Sequence, residues 1–539
     1  MKIFDKLLSP LVLSVIVFLF FQLQVYNINF NFRDEGFLDY NAIRITEGLV
    51  PYKDFFVTTT PGTYYVIALL MKLFGNYLII SKVLYVFVIL GILYLVSRIY
   101  SFKSYLDYVL PLSFAGIFVG PFFATYNIEG LILVLLSFFL LKKWSVSKSS
   151  SSMIFLGITT SLIFLFKQSY GLADFAIIIF SIYFLTGRKE LNKKISYYLL
   201  GIGIIILPYS GYLALSHSLN QFIYYVFFFS RDVKAHRVPF IVTASLFIPF
   251  YLFLLYFLKK FSHKKKILLF LAFVIGFFAL YLIISPARVG RLFTVFADPL
   301  VYYYLALLMV PLTAIYLYWS KKTNQAKDIV LASFFSFGMF FASASSGRDY
   351  TTVLITSGFF VPLCLLLINN SKMITSKKSF SVLFVLIFLF PLLMMSVNIL
   401  IDANKYDSYI ANAKNAAGIK IIRSEAKELN AVTQYVKSVV KKNGTIVCFP
   451  YCPLMFALTE RDSASYFSFF YPETFLYSDG QRFIGDIIKN KVKIIILQRK
   501  GNIEPEANFE DKRLDYVKRY FLLHYQLVGQ TENFDFFTK

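Results

Sequence analysis

Long apolar runs recur along most of the chain and constrain its fold more than any other feature. Of the 539 residues, 58% are hydrophobic. A helix needs about 20 residues to cross the roughly 30 Å hydrocarbon core of a bilayer. Because one soluble core could not bury so much apolar surface, we predict an α-helical polytopic membrane protein with about 13 transmembrane helices. The predicted spans cover residues 11–30, 77–97, 108–123, 128–141, 153–166, 172–186, 197–215, 240–258, 267–285, 299–319, 329–345, 351–369 and 380–400.

Basic residues are distributed unevenly between the loops that join these spans. With the N-terminus in the cytoplasm, the cytoplasmic segments carry 22 Lys and Arg residues, and the outer segments before residue 401 carry 11. This two-to-one excess follows the positive-inside rule. We therefore predict an integral plasma-membrane protein with a cytoplasmic N-terminus. The net charge of +24 is explained by these membrane flanks, and no nucleic-acid partner is predicted.

The chain divides into two predicted domains. Residues 1–401 form a transmembrane domain whose first external loop, residues 31–75, contains an amphipathic helix ending at Gly48 and an apolar surface helix ending at Gly75. Residues 402–539 lose the long apolar runs and predict a small extracytoplasmic α/β domain. The third to sixth spans are short, and whether they cross fully stays open. A disulfide between Cys448 and Cys452 also stays open.

Acidic residues stand at the outer ends of two predicted spans. Asp34 and Glu35 follow the first span, and Glu129 begins the fourth. Carboxylates at a bilayer edge are costly unless they have a function, although each could simply cap its helix. We interpret Asp34, Glu35 and Glu129 as candidate catalytic residues. Asp39, one turn further along, is expected only to solvate its helix.

Basic residues lie on the same outer side, where the charge bias disfavours them. Lys82, Lys167 and Arg348 each stand at an outer span edge. Snorkelling explains any one of them. Together, beside acids, they indicate a site for an anionic lipid headgroup or a lipid-linked phosphate. The four histidines lack metal-ligand spacing, and the chain has no glycine-rich phosphate loop.

The segment "FRDEGFLDYNAIRITEGLVPYKDFFVTTTPGTYYVIALLMKLFGNYLIISKVLYV" resembles the GT-C superfamily of polytopic glycosyltransferases. The resemblance is to the protein mannosyltransferase and aminoarabinose transferase branch (glycosyltransferase family 39-like), and it is specific over residues 31–85. The Asp-Glu pair, the helix ending at Gly, "PYKD", Pro-Gly and "LFG" occur in the same order as in that branch. Aminoarabinose transferases carry Glu-Lys where this chain has "TTTPG", so a role of that pair does not transfer.

The resemblance implies a GT-C-like fold and an enzyme that uses a polyprenyl-phosphate sugar outside the cytoplasm. The acceptor is a lipid, a glycan or a protein hydroxyl. Asp34, or its neighbour Glu35, would act as general base in an inverting displacement. Lys82, Lys167 and Arg348 would stabilise the departing phosphate. The resemblance also leaves room for a divalent metal ion held near Asp34 and Glu129.

Three other functions remain open. The first is a flippase or transporter of lipid-linked glycans, which would need charges along a central path and internal repeats. The second is an O-antigen polymerase or ligase type of protein, which usually places its large functional loop late in the chain. The third is a non-catalytic scaffold in which the acids are helix caps. The collection of charges on one face favours the glycosyltransferase.

Overall fold

A computed structural model of the chain describes residues 9–100, 106–186, 188–229, 326–344, 401–470, 477–499 and 515–539, with a few single positions between them. Arg348 and the predicted spans 240–258, 267–285 and 299–319 lie outside the described residues, as do most residues of the last two predicted spans. The chain forms two compact units. One comprises Met1–Gly171, Lys189–Ala235 and Val385–Lys539, and the other comprises Leu172–Arg188 and His236–Phe384.

Helices dominate the described residues up to 344. They are α1 Pro10–Gln22, α2 Asp34–Thr46, α3 Gly62–Phe74, α4 Ile79–Ile99, α5 Leu106–Ile117, α6 Tyr126–Ser147, α7 Ser150–Phe166, α8 Gln168–Leu185, α9 Arg188–Leu215, α10 Leu219–Ile223 and α11 Ala326–Ala344. By length and composition, four helices of the described ranges could cross a membrane, namely Ile79–Ile99, Tyr126–Ser147, Gln168–Leu185 and Lys189–Leu215. The chain is therefore mostly helical and has the apolar helices of an integral membrane protein, while the number of 13 spans stays a prediction.

The first predicted span, residues 11–30, is longer than the helix that forms. Helix α1 ends at Gln22, whose buried side-chain amide donates to the Gly120 carbonyl at 2.8 Å and accepts from the Gly120 N–H at 2.9 Å. Beyond it, the Asn29 N–H donates to the Lys420 carbonyl at 2.7 Å. Polar groups within the apolar run are thus satisfied by tertiary contacts, which the hydropathy of the run does not reveal.

The two helices predicted in the first external loop are both present. Helix α2 stops before Gly48 and helix α3 stops at Gly75. These glycines have φ of +90° and +97°, values that side-chain-bearing residues rarely adopt. A glycine in this conformation ends a helix at little steric cost, and this explains both stops.

The residues from 401 onward fold as the predicted mixture of helices and strands. The helices are α12 Arg423–Val439, α13 Leu454–Thr459, α14 Tyr477–Lys489 and α15 Asp515–His524, and the strands are β1 Tyr406–Tyr409, β2 Lys420–Ile422, β3 Thr445–Phe449, β4 Asp462–Ser463, β5 Ile494–Gln498, β6 Gln526–Gln530 and β7 Phe534–Thr538. The main sheet has the order β4-β3-β5-β7-β6. Strand β3 pairs in parallel with β4 and β5, and β7 pairs antiparallel with β5 and β6. The domain boundary at residue 401 stays a prediction.

A disulfide joins Cys448, in strand β3, to Cys452, with their Cα atoms 5.7 Å apart. The spacing of four residues had left this pairing open. Here β3 ends at Phe449, so the chain can turn back within those four residues. The sulfur atoms lie in the buried core of the α/β region.

The segment 31–75, predicted as the first external loop, packs against this α/β region within one compact unit. The Phe56 N–H donates to the Tyr466 carbonyl at 3.0 Å, and the Tyr466 hydroxyl donates to the Tyr52 carbonyl at 2.8 Å. One core cluster contains residues of the loop, such as Phe55 and Tyr64, and residues of the sheet, such as Phe449. Loop and sheet therefore stabilise each other by shared burial of apolar surface.

Gly36 allows the closest approach between helix α2 and the α/β region. A Cβ atom built on Gly36 would lie 2.6 Å from the Leu454 backbone nitrogen, well inside van der Waals contact. Leu454 is the first residue of α13 and is fully buried. Only glycine fits here without movement of a helix backbone.

We expect Gly36→Ala to destabilise the protein by about 1–3 kcal/mol, because the added methyl group overpacks a backbone contact. The measurement is the thermal unfolding temperature of the purified protein in detergent. Gly485→Ala is the matched control, since nothing lies within 4 Å of a Cβ at that helical site. The control should gain about 0.5–1 kcal/mol from helix propensity. Equal unfolding temperatures for the two variants would contradict the close-packing argument.

Candidate active site

Helix α2 begins with a cap formed by Asn31 and Glu35. The Asn31 side-chain oxygen accepts from the N–H groups of Arg33, at 3.1 Å, and Asp34, at 2.7 Å. In return, a Glu35 carboxylate oxygen accepts from the Asn31 N–H at 2.9 Å. This reciprocal arrangement resembles a capping box and satisfies backbone donors at the helix start. Asn31 thus caps the helix start, and of the two acids only Glu35 takes part, by accepting from the Asn31 N–H.

The carboxylate of Asp34 faces a different environment from that of its neighbour. It lies 3.3 Å from the Arg33 guanidinium and is 56% exposed. It also stands in the first turn of α2, where the helix dipole favours negative charge. The carboxylate of Asp34 is therefore accessible from solvent, whereas that of Glu35 is not.

Glu35 forms an ion pair with Lys82 that has no solvent exposure on either side chain. The Lys82 ammonium lies 3.0 Å from one carboxylate oxygen of Glu35. Burial raises the pKa of Glu35, while the positive charge of Lys82 opposes that rise. Lys82 was predicted to bind the donor phosphate. In the structure its charge is engaged by Glu35, and the contact joins helix α2 to helix α4.

The expectation that Asp39 only solvates its helix is wrong, because its side chain is fully buried. One carboxylate oxygen accepts from the Ser81 hydroxyl at 3.2 Å. Burial, reinforced by the charge of Glu35 one turn earlier, raises the pKa of Asp39 well above its ordinary range. Two carboxyl groups and one ammonium thus occupy the same buried region between α2 and α4.

Glu129 lies in the first turn of α6 and is almost completely buried. Its carboxylate accepts a short hydrogen bond from the hydroxyl of Thr63, which lies in the first turn of α3. The sequence did not single out Thr63. The contact brings the start of α3 against the start of α6.

Lys167 stands at the break between helices α7 and α8 and is buried. Its ammonium lies 4.2 Å from the ring centre of Tyr126 and 6.0 Å from that of Tyr170, which is cation–π geometry. Tyr126 precedes Glu129 by three residues, so the two share a face of α6. Lys167 and Glu129 therefore flank the same helix start.

A chain of contacts links this helix start to Asp34. Phe37, three residues after Asp34 on α2, packs edge-on against Tyr64 with ring centres 6.2 Å apart. Tyr64 adjoins Thr63, the partner of Glu129. Contacts therefore run from Glu129 at the start of α6, through Thr63 and Tyr64 of α3, to Phe37 of α2. The Pro–Gly start of α3 was the sequence signal that could have pointed to Thr63 and Tyr64.

The described part of the chain contains no group of three or more His, Cys, Asp or Glu side chains placed to hold a metal ion. Glu129 is hydrogen-bonded to Thr63, and Asp34 lies beside Arg33. A divalent metal near these acids stays a prediction that would need ligands from elsewhere.

Comparisons with known proteins give little beyond this geometry. No protein-family model and no curated protein matches the chain. Among solved structures, the chain is similar to ArnT from Cupriavidus metallidurans bound to undecaprenyl phosphate, at 10% sequence identity, with 99% of this chain and 98% of that chain covered and a TM-score of 0.46. Similarity at this level establishes neither a shared fold nor a shared function.

We expect Lys82→Met to lower the stability of the protein by about 3–5 kcal/mol, because it leaves the Glu35 carboxylate buried without its partner. The double variant Lys82→Met/Glu35→Gln should recover part of this loss, because the uncompensated charge is then gone. Thermal unfolding in detergent measures both effects. Lys72→Met, at an exposed position in the last turn of α3, is the matched control. A double variant no more stable than Lys82→Met would exclude a structural ion pair.

We expect Asp39→Asn to raise the unfolding temperature by about 2–4 °C near pH 8 and by less near pH 5. The pKa of Asp39 is raised on folding, so its contribution to stability is complete below the ordinary pKa of 3.8 and is lost as the pH rises through the raised value. Asparagine does not ionise, and the benefit of the substitution should grow with pH. Asp402→Asn, at an exposed position, should show no such trend. A constant difference across pH would contradict the buried-acid argument.

Proposed function

We propose that the chain is a membrane glycosyltransferase that moves a sugar from a polyprenyl-phosphate donor to an acceptor hydroxyl on the extracytoplasmic face. The observation that carries the proposal is the exposed Asp34 carboxylate at the start of α2, directly before the buried Glu35–Lys82 pair. Asp34 and Glu35 lie in the segment that resembles the GT-C glycosyltransferases. The apolar helices of the chain suit a donor with a long hydrocarbon tail.

Asp34 acts in this proposal as the general base. It takes the proton of the acceptor hydroxyl while that oxygen forms a bond to the anomeric carbon. At the same time the bond between the anomeric carbon and the phosphate oxygen breaks, and polyprenyl phosphate departs with the bonding electrons. A single displacement of this kind inverts the configuration at the anomeric carbon.

Lys167 is the described cation that best suits the departing phosphate. It lies beside the start of α6, linked through Glu129, Thr63 and Tyr64 to the Asp34 end of α2. A cation placed there stabilises negative charge as it develops on the phosphate oxygen. Arg348 remains part of the proposed phosphate site. Lys82 is better assigned to positioning, because it holds the residue next to Asp34.

Two observations support an extracytoplasmic placement of the site. The excess of basic residues on the opposite segments follows the positive-inside rule. The Cys448–Cys452 disulfide suits an oxidising compartment, and the α/β region that contains it packs on the loop that carries Asp34. Nucleotide sugars are cytoplasmic, so a transferase on this side needs a donor carried across on a lipid.

We expect Asp34→Asn to reduce sugar transfer by about 10²–10⁴-fold while the protein accumulates in the membrane at its normal level. The measurement compares lipid-linked sugars and envelope glycans between cells with and without the variant. Asp407→Asn is the matched control, because Asp407 is also an exposed acid beside an arginine, 2.5 Å from Arg423.

The same comparison separates the alternatives. A transferase without its base should accumulate donor and lack product. A flippase should tolerate Asp34→Asn or accumulate its lipid-linked substrate on the cytoplasmic side. A normal amount of glycan product from Asp34→Asn would contradict the assignment of Asp34 as the general base.

A further inference from the structure

A cavity lies between the C-terminal end of helix α2 and the α/β region, away from Asp34. Its volume is about 480 Å³, within the usual range of small-ligand sites. The loop side contributes Glu47 and the turn containing Asn76 and Tyr77. The α/β side contributes Asn415, Phe456 and the segment that contains Arg461. All these residues belong to the same compact unit. We call this space the α2-end cavity.

An unpartnered acceptor belongs to Asn415, one of the residues that line the α2-end cavity. The Asn415 amide group donates to the Ala457 carbonyl at 2.6 Å, which fixes the orientation of the side chain. Its oxygen is buried and has no hydrogen-bond partner among the described residues. Asn415 is only 8% exposed. A buried acceptor without a partner is costly, and a donor group on a ligand would satisfy it.

The walls of the cavity are held in place without a ligand. The Tyr40 ring stacks on Phe456 with ring centres 4.9 Å apart, and the Tyr40 hydroxyl accepts from the Ser463 N–H at 2.6 Å. The Arg461 guanidinium donates to the carbonyls of Val440, Thr459 and Glu460 at 2.8 to 3.1 Å. A preformed cavity loses little conformational entropy on binding.

The charges of the lining argue against a strongly ionic ligand. Three acidic residues, Glu47, Glu460 and Asp462, face three basic ones, Lys414, Lys442 and Arg461. The guanidinium of Arg461 is engaged by backbone carbonyls, so it is not available to clamp a phosphate. A lining with equal numbers of acids and bases and several amide groups suits a neutral ligand with many hydroxyl groups.

The rim adds an aromatic surface to these polar groups. Tyr77 is 44% exposed and Asn76 and Asn443 stand beside it in the lining. A sugar ring has apolar C–H faces that pack on aromatic rings and hydroxyl edges that bond to amides and carboxylates. The cavity presents both kinds of partner.

The position of the cavity relative to Asp34 defines what it could hold. Helix α2 runs from Asp34 to Thr46, and Glu47 follows it. At 1.5 Å per residue, the lining runs from Tyr40, about 9 Å from Asp34 along the helix, to Glu47, about 20 Å from it. A sugar at the Glu47 side of the cavity is beyond the reach of Asp34, but it could belong to the same extended molecule as the reacting hydroxyl.

We propose that the α2-end cavity binds a neutral sugar unit of an acceptor glycan, several units away from the hydroxyl that reacts. The assignment of this sugar to an acceptor rests on the proposed function; its binding does not. A saccharide site in this cavity narrows the possible acceptors from a lipid, a glycan or a protein to a saccharide chain. Asn415 supplies the buried acceptor, and Tyr77 supplies the aromatic surface at the rim.

The test applies the full-length protein in detergent to a printed array of neutral and anionic oligosaccharides of graded length. We expect retention of at least one neutral oligosaccharide, confirmed by saturation-transfer NMR. Tyr77→Ala should weaken that binding at least about tenfold, and Asn415→Ala should also weaken it. Tyr409→Ala is the matched control, because Tyr409 is a 50% exposed tyrosine on strand β1 outside the lining.

The outcomes separate this proposal from the proposed function. Asp34→Asn should bind the oligosaccharide as the unchanged protein does while it loses transfer. If the unchanged protein binds a neutral oligosaccharide but transfers no sugar, the proposed glycosyltransferase function is overturned and the proposed saccharide site is supported. Retention of no neutral oligosaccharide, or equal binding by Tyr77→Ala and Tyr409→Ala, would overturn the saccharide site.

Discussion

The buried ion pair between Lys82 and Glu35 is the interaction on which the arrangement of the candidate site depends. It joins the start of helix α2 to the apolar helix α4, and neither side chain is exposed. Successive residues of a helix are rotated by about 100°. With Glu35 turned inward to meet Lys82, Asp34 is directed toward solvent, as its exposure shows. One acid is therefore structural, and its neighbour is left accessible for chemistry.

The α/β region contributes to the same site by confining the loop from the other side. The Phe56 N–H donates to the Tyr466 carbonyl, the Tyr466 hydroxyl donates to the Tyr52 carbonyl, and Gly36 brings α2 against Leu454. Helix α2 is thus held by a membrane helix at one surface and by the α/β region at another. A helix of 13 residues is marginal in isolation, so this packing supplies most of its stability.

Much of this architecture could be predicted from particular residues. Gly48 and Gly75 marked the ends of two helices because their backbone conformations exclude other residues. The partners of Lys82 and Asp39 could not be predicted, because they depend on which face of α2 packs against α4. The spacing still carried a signal: Glu35 and Asp39 are four residues apart and share a face with buried Leu38 and Ala42. Hydropathy likewise overestimated the length of the first helix, which ends at Gln22, because it cannot show the tertiary bonds of polar groups within the apolar run.

The length of helix α2 connects the proposed active site at Asp34 with the proposed saccharide site in the α2-end cavity. Its first residue carries the exposed acid, and its last turn faces the α2-end cavity. The ion pair fixes α2 at its start and Gly36 packs along its side, and the cavity lining extends from about 9 Å (Tyr40) to about 20 Å (Glu47) from Asp34 along the helix. This spacing favours a substrate long enough to occupy both ends at once. A saccharide chain meets that requirement, whereas a single small acceptor would contact only the Asp34 end.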